Sequence, residues 1–424
     1  MALSNTTASK DIKQMKMKSR KKHFQKQKQK LFRANEPFIS VFMWGVNHTI
    51  KELSCMRMPL MLMPDDFKAY SKVKVDNHIF NKENLPSHFK LKEYCPLVFR
   101  RLRERFGIAD KDYVSSLCVN QPFRVDDKGR SGSRFLHSFD HKYVIKTLNG
   151  EDIAEMHGLL PKYHQYIVEH NSKTLLPQYL GMYRLTLNNA EHYMIVMRNV
   201  FSCQFRAHKK YDLKGSTVQR EASDKEKKKV LPTFKDNDFV KDNVKIYLDS
   251  DDRGEFLAKL KSDVEFLASL KLMDYSLLVG IHDCERPDRY NDDSDGMLEP
   301  EGNGHTDGSP CEDENAPVSA TPPDSPGGIL AEACRQDSTS GDDETQDSFY
   351  AVKSAPDSPK SAVYYMGLID ILTHYDTKKK AAHAVKTAKH GAGAEFSSIQ
   401  PAQYSRRFYE FICDRIVTPT SAST

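Results

Sequence analysis

The stretch YYMGLIDILTHYDTKKKAAHAVKTAKHGAG, Tyr364 to Gly393, decides the fold. Its first part, Tyr364 to Leu372, reads as a buried strand carrying a single carboxylate, Asp370. An acid in an apolar strand is costly unless it binds something. Shortly beyond it come Lys378, Lys379 and Lys380, then Lys386 and Lys389. The acid needs a ligand or partner, and the lysines need something to face.

Other stretches repeat the theme of a charged residue at the edge of an apolar element. KLMDYSLLVGIHD (271–283) sets Asp274 between an amphipathic helix, starting near Arg253, and an apolar strand. A carboxylate there can accept a hydroxyl proton, and it can equally cap the helix. YVIKT (143–147) ends a β-branched strand with Lys146. Upstream lies GRSGSRF, whose Gly129, Ser131, Gly132 and Ser133 read as a tight turn that lets backbone N–H groups approach phosphates, or as a plain hairpin. Glu155 falls on a helix starting near Glu151, placed to pair with Lys146. In KYDLKGSTVQR (210–220), Asp212 and Lys214 alternate on an extended run, and a polar, basic stretch continues to Arg220; a solvated surface loop fits as well.

The set is more specific than its members. Phosphate loop, strand lysine, helix glutamate, loop aspartate and strand aspartate follow the order of a protein-kinase-like site. Phosphoryl transfer needs cations on the β and γ phosphates, a metal-holding carboxylate (Asp370) and a hydroxyl-orienting carboxylate (Asp274). Yet no HRD precedes Asp274, Val279 stands where a kinase has asparagine, and IDI replaces DFG. An ordinary protein kinase is disfavoured.

The chain of 424 residues suffices for one large two-lobed domain or two domains with tails. No apolar run approaches the roughly 20 residues of a spanning helix, and no signal-peptide pattern opens the chain, so an intracellular protein is expected. Eight scattered cysteines, without CxxC pairs or zinc spacing, argue for reduced thiols. The net charge of +5 conceals two materials. Residues 285–348 hold 18 Asp/Glu and three Arg, leaving 60 Lys/Arg and 40 Asp/Glu elsewhere. The acidic, Gly/Pro/Ser-rich insert is expected to be disordered. TPPDSP (Thr321 to Pro326) and PDSP (Pro356 to Pro359) resemble proline-directed phosphorylation sites. The basic remainder points to a polyanionic partner, an anionic membrane or nucleic acid.

Residues 1–30 read as a basic arm, 31–202 as an N-terminal lobe, and 203–284 with 349–424 as a C-terminal lobe interrupted by the insert at 285–348. PLVFRRLRERFGI (Pro96 to Ile108) reads as a helix punctuated by Pro96 and Gly107, and Asn188-Asn189 as the turn of a hairpin.

MLMPDDFKAYSK, NHIFNKENLPSHFKLKEYCP, YDLKGSTVQREASDKEK, LMDYSLLVGIHD, IDILTHYDTKKKAAHAVKTAKHGAGAE and PAQYSRRF together resemble the type II phosphatidylinositol phosphate kinases, the phosphatidylinositol 5-phosphate 4-kinases. The resemblance runs over about residues 20–415, broken only by the acidic insert, which the family also carries at this place. It implies an α+β, two-lobed, distantly protein-kinase-like lipid kinase fold with antiparallel sheets and flanking helices. Lys146 would bind ATP phosphates with Glu155 as its partner, Asp274 would be the catalytic carboxylate, and Asp370 would bind Mg²⁺. Asp212 and Lys214 would belong to the DLKGS active-site segment, and Met197, Arg198 and Asn199 to the hinge beside the purine. Lys214, Arg220, Lys378, Lys379, Lys380 and Ala382 would face the lipid headgroup; Ala382 stands where type I enzymes carry glutamate. Met197 replaces a threonine of several type II members, which leaves GTP use beside ATP open.

Met197 also leans toward the gamma isoform, whereas RSGSRF resembles the active isoforms. The resemblance further implies dimers through the N-terminal region, giving residues 31–50 a role, and heterodimers with sister isoforms. A flat basic face would meet anionic membranes, with no nucleic acid involved. A cytoplasmic protein, peripheral on plasma membrane and endomembranes with a nuclear pool, is expected. Two alternatives stand beside 4-kinase activity on phosphatidylinositol 5-phosphate: a weakly active phosphoinositide-binding scaffold pairing with sister kinases, and a 5-kinase on phosphatidylinositol 4-phosphate.

Overall fold

Asn188 and Asn189 carry the local signal around which the larger sheet is built. Both adopt left-handed backbone, with φ of 47° and 64°, the twist that a two-residue hairpin needs and that Asn tolerates. They join β6 (Tyr179–Leu187) to β7 (Ala190–Arg198) as expected. The computed structural model describes residues 32, 34–76, 85–125, 133–201, 205–286, 349–375 and 400–419. With β1 (Tyr70–Asp76), β2 (His88–Tyr94), β3 (Phe123–Val125), β4 (Phe135–His137) and β5 (Tyr143–Leu148), the hairpin forms a seven-stranded antiparallel sheet ordered β1-β2-β6-β7-β5-β4-β3.

Helix α1 (Pro37–Ser54) covers this sheet, and it corrects one expectation. The resemblance gives residues 31–50 a role in dimers, but Ile39, Phe42, Trp44, Val46 and Ile50 are buried inside the same chain. Trp44 meets Phe89 of β2 edge-on at 5.1 Å, and a Cβ added to Gly45 would run into the Leu91 side chain. The helix has apolar residues on several sides, so it belongs in a core. The exposed apolar side chains come after it: Met56, Leu60, Met61, Met63 and Tyr70.

Two further helices follow their local signals. α2 (Pro96–Arg105) starts with proline after a left-handed Cys95, and the left-handed Gly107 lies just past its end. α3 (Asp110–Cys118) follows, and α4 (Gly150–Glu169) opens on a reciprocal cap. Asn149 accepts from the Asp152 N–H at 2.8 Å, and the Asp152 carboxylate accepts from the Asn149 N–H at 3.1 Å.

The second sheet contains β8 (Lys209–Leu213), β9 (Thr233–Lys235), β11 (Ser276–Asp283), β12 (Ala351–Lys353) and β13 (Ala362–Ile369), ordered β12-β13-β11-β8-β9. Only the β8–β9 pairing is parallel in this sheet. Around it lie α5 (Asp224–Lys227), α6 (Asp236–Lys241), α7 (Ser250–Ser269) and α8 (Pro401–Cys413), with α7 against α8. β10 (Ile246–Tyr247) pairs with β14 (Ile416–Val417).

A buried carboxylate ties the sheets' surroundings together. Asp263 of α7 accepts hydrogen bonds from the Tyr166 hydroxyl (2.7 Å), the Thr174 hydroxyl (2.6 Å) and the Leu175 N–H (2.6 Å). Burial pushes its carboxyl up to about 6, with these donors pulling the other way. The Leu175 carbonyl in turn accepts from the Leu368 N–H of β13 at 2.7 Å. No described helix is long and apolar enough to cross a membrane.

Candidate active site

Strand register decides which charges meet. β11 pairs Ser276 with Ile369 and Leu277 with Leu213. Residues just before β11, just after β13 and just after β8 therefore emerge at one sheet end, and these are Asp274, Asp370 and Lys214. β13 ends at Ile369, so the expected strand Tyr364–Leu372 is shorter and Asp370 stands beyond it. Asp274 and Asp370 both have left-handed backbone, with φ of 63° and 58°. Asp adopts that conformation more readily than bulky residues, and strained backbone concentrates at functional sites.

Two charge pairs occupy this corner. The Lys214 ammonium donates to the Asp274 carboxylate at 2.7 Å and to its main-chain oxygen at 2.5 Å. From β5 of the other sheet, Lys146 donates to the Asp370 carboxylate at 2.7 Å. Crowding by protein pushes the Asp370 carboxyl up, but the Lys146 ammonium, by charge and hydrogen bond, and the Lys214 charge outweigh it. The carboxyl is thereby held below the usual carboxylate range. Its side chain remains 55% exposed and open to a ligand. A magnesium ion fits such a donor, because Mg²⁺ takes one or two carboxylates and fills its shell with water and phosphate oxygens.

Glu155 is not the partner of Lys146. Its carboxylate meets His374 at 2.8 Å, four residues beyond Asp370. His374 is fixed by its backbone: it bridges to Leu272, flanked by the Met273 N–H to Thr373 O bond and the Tyr375 N–H to Lys271 O bond. Asp370 and His374 thus engage, one each, the two residues that sequence reading paired with each other.

Arg220 departs further from expectation. Only 4% of it is exposed. It donates to the Asp236 carboxylate at 2.7 Å and to the Asp212 main-chain oxygen at 2.5 Å, with the Asp212 carboxylate 3.4 Å away. A guanidinium so enclosed braces the loop from inside and does not present itself to a headgroup. Asp212, on β8, faces this brace.

At the end of β7, Met197 is half-buried, while the Arg198 side chain donates to Gln178 (2.7 Å) and the Phe106 main-chain oxygen (3.2 Å). That guanidinium is committed to groups flanking α2 and β6. Asn199 donates to the main chain of His141 and Lys142, both at 2.9 Å, tying the hinge to the β4–β5 turn. Ser133 lies just before β4. Gly129, Ser131, Gly132, Lys378, Lys379, Lys380, Ala382, Lys386 and Lys389 lie outside the described residues, as do the basic arm, TPPDSP and nearly all of the insert.

Sequence reading missed His374 and Asp236. His374 stands in THYD beside the quoted lysines, and only three-dimensional pairing separates it from any surface histidine. Asp236, in KDND, carries an ordinary helix-start signal that conceals its burial.

The family model described as Phosphatidylinositol-4-phosphate 5-Kinase matches residues 117–415. Phosphatidylinositol 5-phosphate 4-kinase type-2 alpha of Gallus gallus is 58% identical over 417 residues, covering 98% of this chain and 99% of the relative. The Homo sapiens type-2 alpha protein is 59% identical over 400 residues, covering 94% and 95%. The Homo sapiens type-2 beta protein is 58% identical over 397 residues, covering 92% and 93%. A mixed α/β chain with antiparallel sheets, two lysine–aspartate pairs at one corner and this similarity along nearly its whole length belongs to the phosphatidylinositol phosphate kinase family, whose kinase chemistry implies the use of ATP.

Proposed function

We propose that the chain transfers the γ-phosphoryl group of ATP to the 4-hydroxyl of phosphatidylinositol 5-phosphate, making phosphatidylinositol 4,5-bisphosphate. One observation carries the reading: the Lys146–Asp370 and Lys214–Asp274 pairs share a corner in a chain whose near-full-length relatives are named 5-phosphate 4-kinases. The family description names the opposite regiochemistry, but it is a label for a domain. The relatives' names attach to whole chains at 58–59% identity.

The roles follow from charge and reach. Lys146 would neutralise phosphate oxygens, exchanging part of its contact with Asp370 for them. Asp370 would hold Mg²⁺, which when bound supplies positive charge against the charge that develops on the transferred group. Asp274 would accept the 4-hydroxyl proton as the new O–P bond forms and the bond to the β-phosphate breaks. Lys214 already holds the Asp274 carboxylate and main-chain oxygen with two of its three ammonium hydrogens, and the third suits the transferred phosphoryl group.

The outer face of the larger sheet supports membrane docking. Lys72 stands directly opposite Lys92, Lys74 opposite Lys90, and Lys92 opposite Arg184, so all five share one face. Like charges placed opposite one another are unfavourable in water. Burial, then Arg184 and Lys72, hold the Lys92 ammonium below its ordinary value. An anionic bilayer relieves that repulsion and adds about 1 kcal/mol per basic residue near the surface. A cytoplasmic protein that visits membranes peripherally is consistent with this. For dimers, the open edge of β1 beside exposed Met56, Leu60, Met61, Met63 and Tyr70 is a better surface than α1.

The test compares wild type with Asp274→Asn on vesicles containing phosphatidylinositol 5-phosphate. Wild-type turnover at least 100-fold above the variant is expected. Equal turnover would favour the scaffold reading.

A further inference from the structure

Asp236 is fully buried, yet it is the first residue of a six-residue helix and lies outside the catalytic pairs. An ionised carboxylate in that position needs several donors to be tolerated. It has four, and all belong to the segment that carries Lys214. One oxygen accepts the backbone N–H groups of Lys214 (2.9 Å), Gly215 (2.8 Å) and Ser216 (3.3 Å). The other accepts Arg220 Nε at 2.7 Å, and the same guanidinium holds the Asp212 main chain.

The loop is fixed from its other side by close contact. Gly215 has φ of +62°, and a Cβ there would lie 3.0 Å from the Phe408 backbone of α8. The same helix supplies Tyr404, whose hydroxyl donates to the Tyr275 carbonyl at 2.5 Å, next to Asp274. Lys214 and Asp274 are therefore both referenced to α8, with Asp236 pinning Lys214 and α8 itself pinning the aspartate's chain.

We propose that Asp236 is a positioning residue for phosphoryl transfer: its buried carboxylate sets the Lys214 backbone so that the ammonium meets Asp274. This rests on the lipid-kinase reading above. The nucleotide contacts assigned to Lys146 and Asp370 come from β5 and from the end of β13, outside the loop that Asp236 pins. Losing Asp236 should lower kcat and leave nucleotide binding in place.

Asp238, two residues on, provides an internal comparison. It is similarly buried, at 5% exposed. It accepts from the N–H groups of Ala222 (2.7 Å) and Lys235 (3.1 Å), which lie beyond Arg220 and touch neither catalytic pair.

The experiment measures kcat, KM for ATP, ADP-binding stoichiometry and melting temperature for wild type, Asp236→Asn, Asp236→Ala and Asp238→Asn on the same 5-phosphate lipid vesicles. Asp236→Asn keeps an acceptor for the three N–H groups but faces Arg220 with a donor, so a fall in kcat of about tenfold is expected. Asp236→Ala loses every acceptor and should fall about 100-fold or more. KM for ATP should stay within threefold, with one ADP per chain. Asp238→Asn should lower the melting temperature and keep kcat within threefold. If Asp236→Ala does not fold, Asp236→Asn against Asp238→Asn decides the matter. Equal kcat losses in those two variants, or a loss of ADP stoichiometry that matches the loss of turnover, would reduce Asp236 to a folding role and overturn the proposal. Absence of wild-type turnover on any phosphoinositide overturns the kinase reading itself, and with it this one.

Discussion

Replacing Lys146 with methionine separates what the lysine does for stability from what it does for chemistry. The pair it forms with Asp370 is short, at 2.7 Å, but both side chains reach water, at 20% and 55% exposure. Such a pair contributes about 0.5–1 kcal/mol. At about 2–4 °C per kcal/mol for larger domains, the melting temperature should fall by no more than about 4 °C. The pH dependence has a definite sign. Asp370 is depressed in the folded protein, crowding being outweighed by Lys146. Its stabilisation is therefore present above the unfolded value of about 3.9 and disappears as pH falls through the lower folded value. The gap between wild-type and variant melts should be present at neutral pH and close in strong acid. Catalysis is a larger matter, because a fixed cation at developing phosphate charge is worth about 10²–10³ in kcat. Melting curves beside turnover on 5-phosphate lipid vesicles read both quantities. Activity within tenfold of wild type would refute the role of Lys146, and a melt lowered by more than about 10 °C would refute the solvent-screened pair.

Further consequences can be checked separately. Neutralising Lys72, Lys74 and Lys90 to alanine should weaken binding to anionic vesicles by about 100-fold, at about 1 kcal/mol each, with a shallower salt dependence; unchanged sedimentation with vesicles would move the membrane face elsewhere. Asp263, raised to about 6 by burial, binds its proton more tightly when folded. Its contribution to stability is full below about 3.9 and lost as pH rises through 6, a span of about 3 kcal/mol. Asp263→Asn should remove that slope from melts recorded between pH 4.5 and 7, and an unchanged slope would contradict it. Gly280 of β11 has the Phe201 ring 2.5 Å from where a Cβ would sit. Gly280→Ala should cost about 1–3 kcal/mol by overpacking, visible as a lower melting temperature.

The residues explain why some features were legible and others were not. The Asn188-Asn189 hairpin, the Pro96 helix start and the helix near Glu151 rest on rules that act over a few neighbours. Asp274 and Lys146 could be picked out because each stands at the end of an apolar element, and Asp370 because it interrupts one; strand register then brings the two aspartates to one corner, which Lys146 reaches from the other sheet. The failures concern partners far away in the chain. Glu155 was given to Lys146 by proximity in sequence, while His374 reaches it from the other side of the site. Arg220 reads as a surface cation until Asp236 and Asp212 enclose it. Residues 31–50 look available for a partner because apolar character does not say whether the surface covering it belongs to the same chain.

The most direct test of the central claim is product analysis after separate incubation with the 3-, 4- and 5-monophosphates of phosphatidylinositol, with ATP and Mg²⁺. The account predicts phosphatidylinositol 4,5-bisphosphate from the 5-phosphate lipid, with the new phosphate on the 4-hydroxyl. Product from the 4-phosphate lipid alone would contradict it.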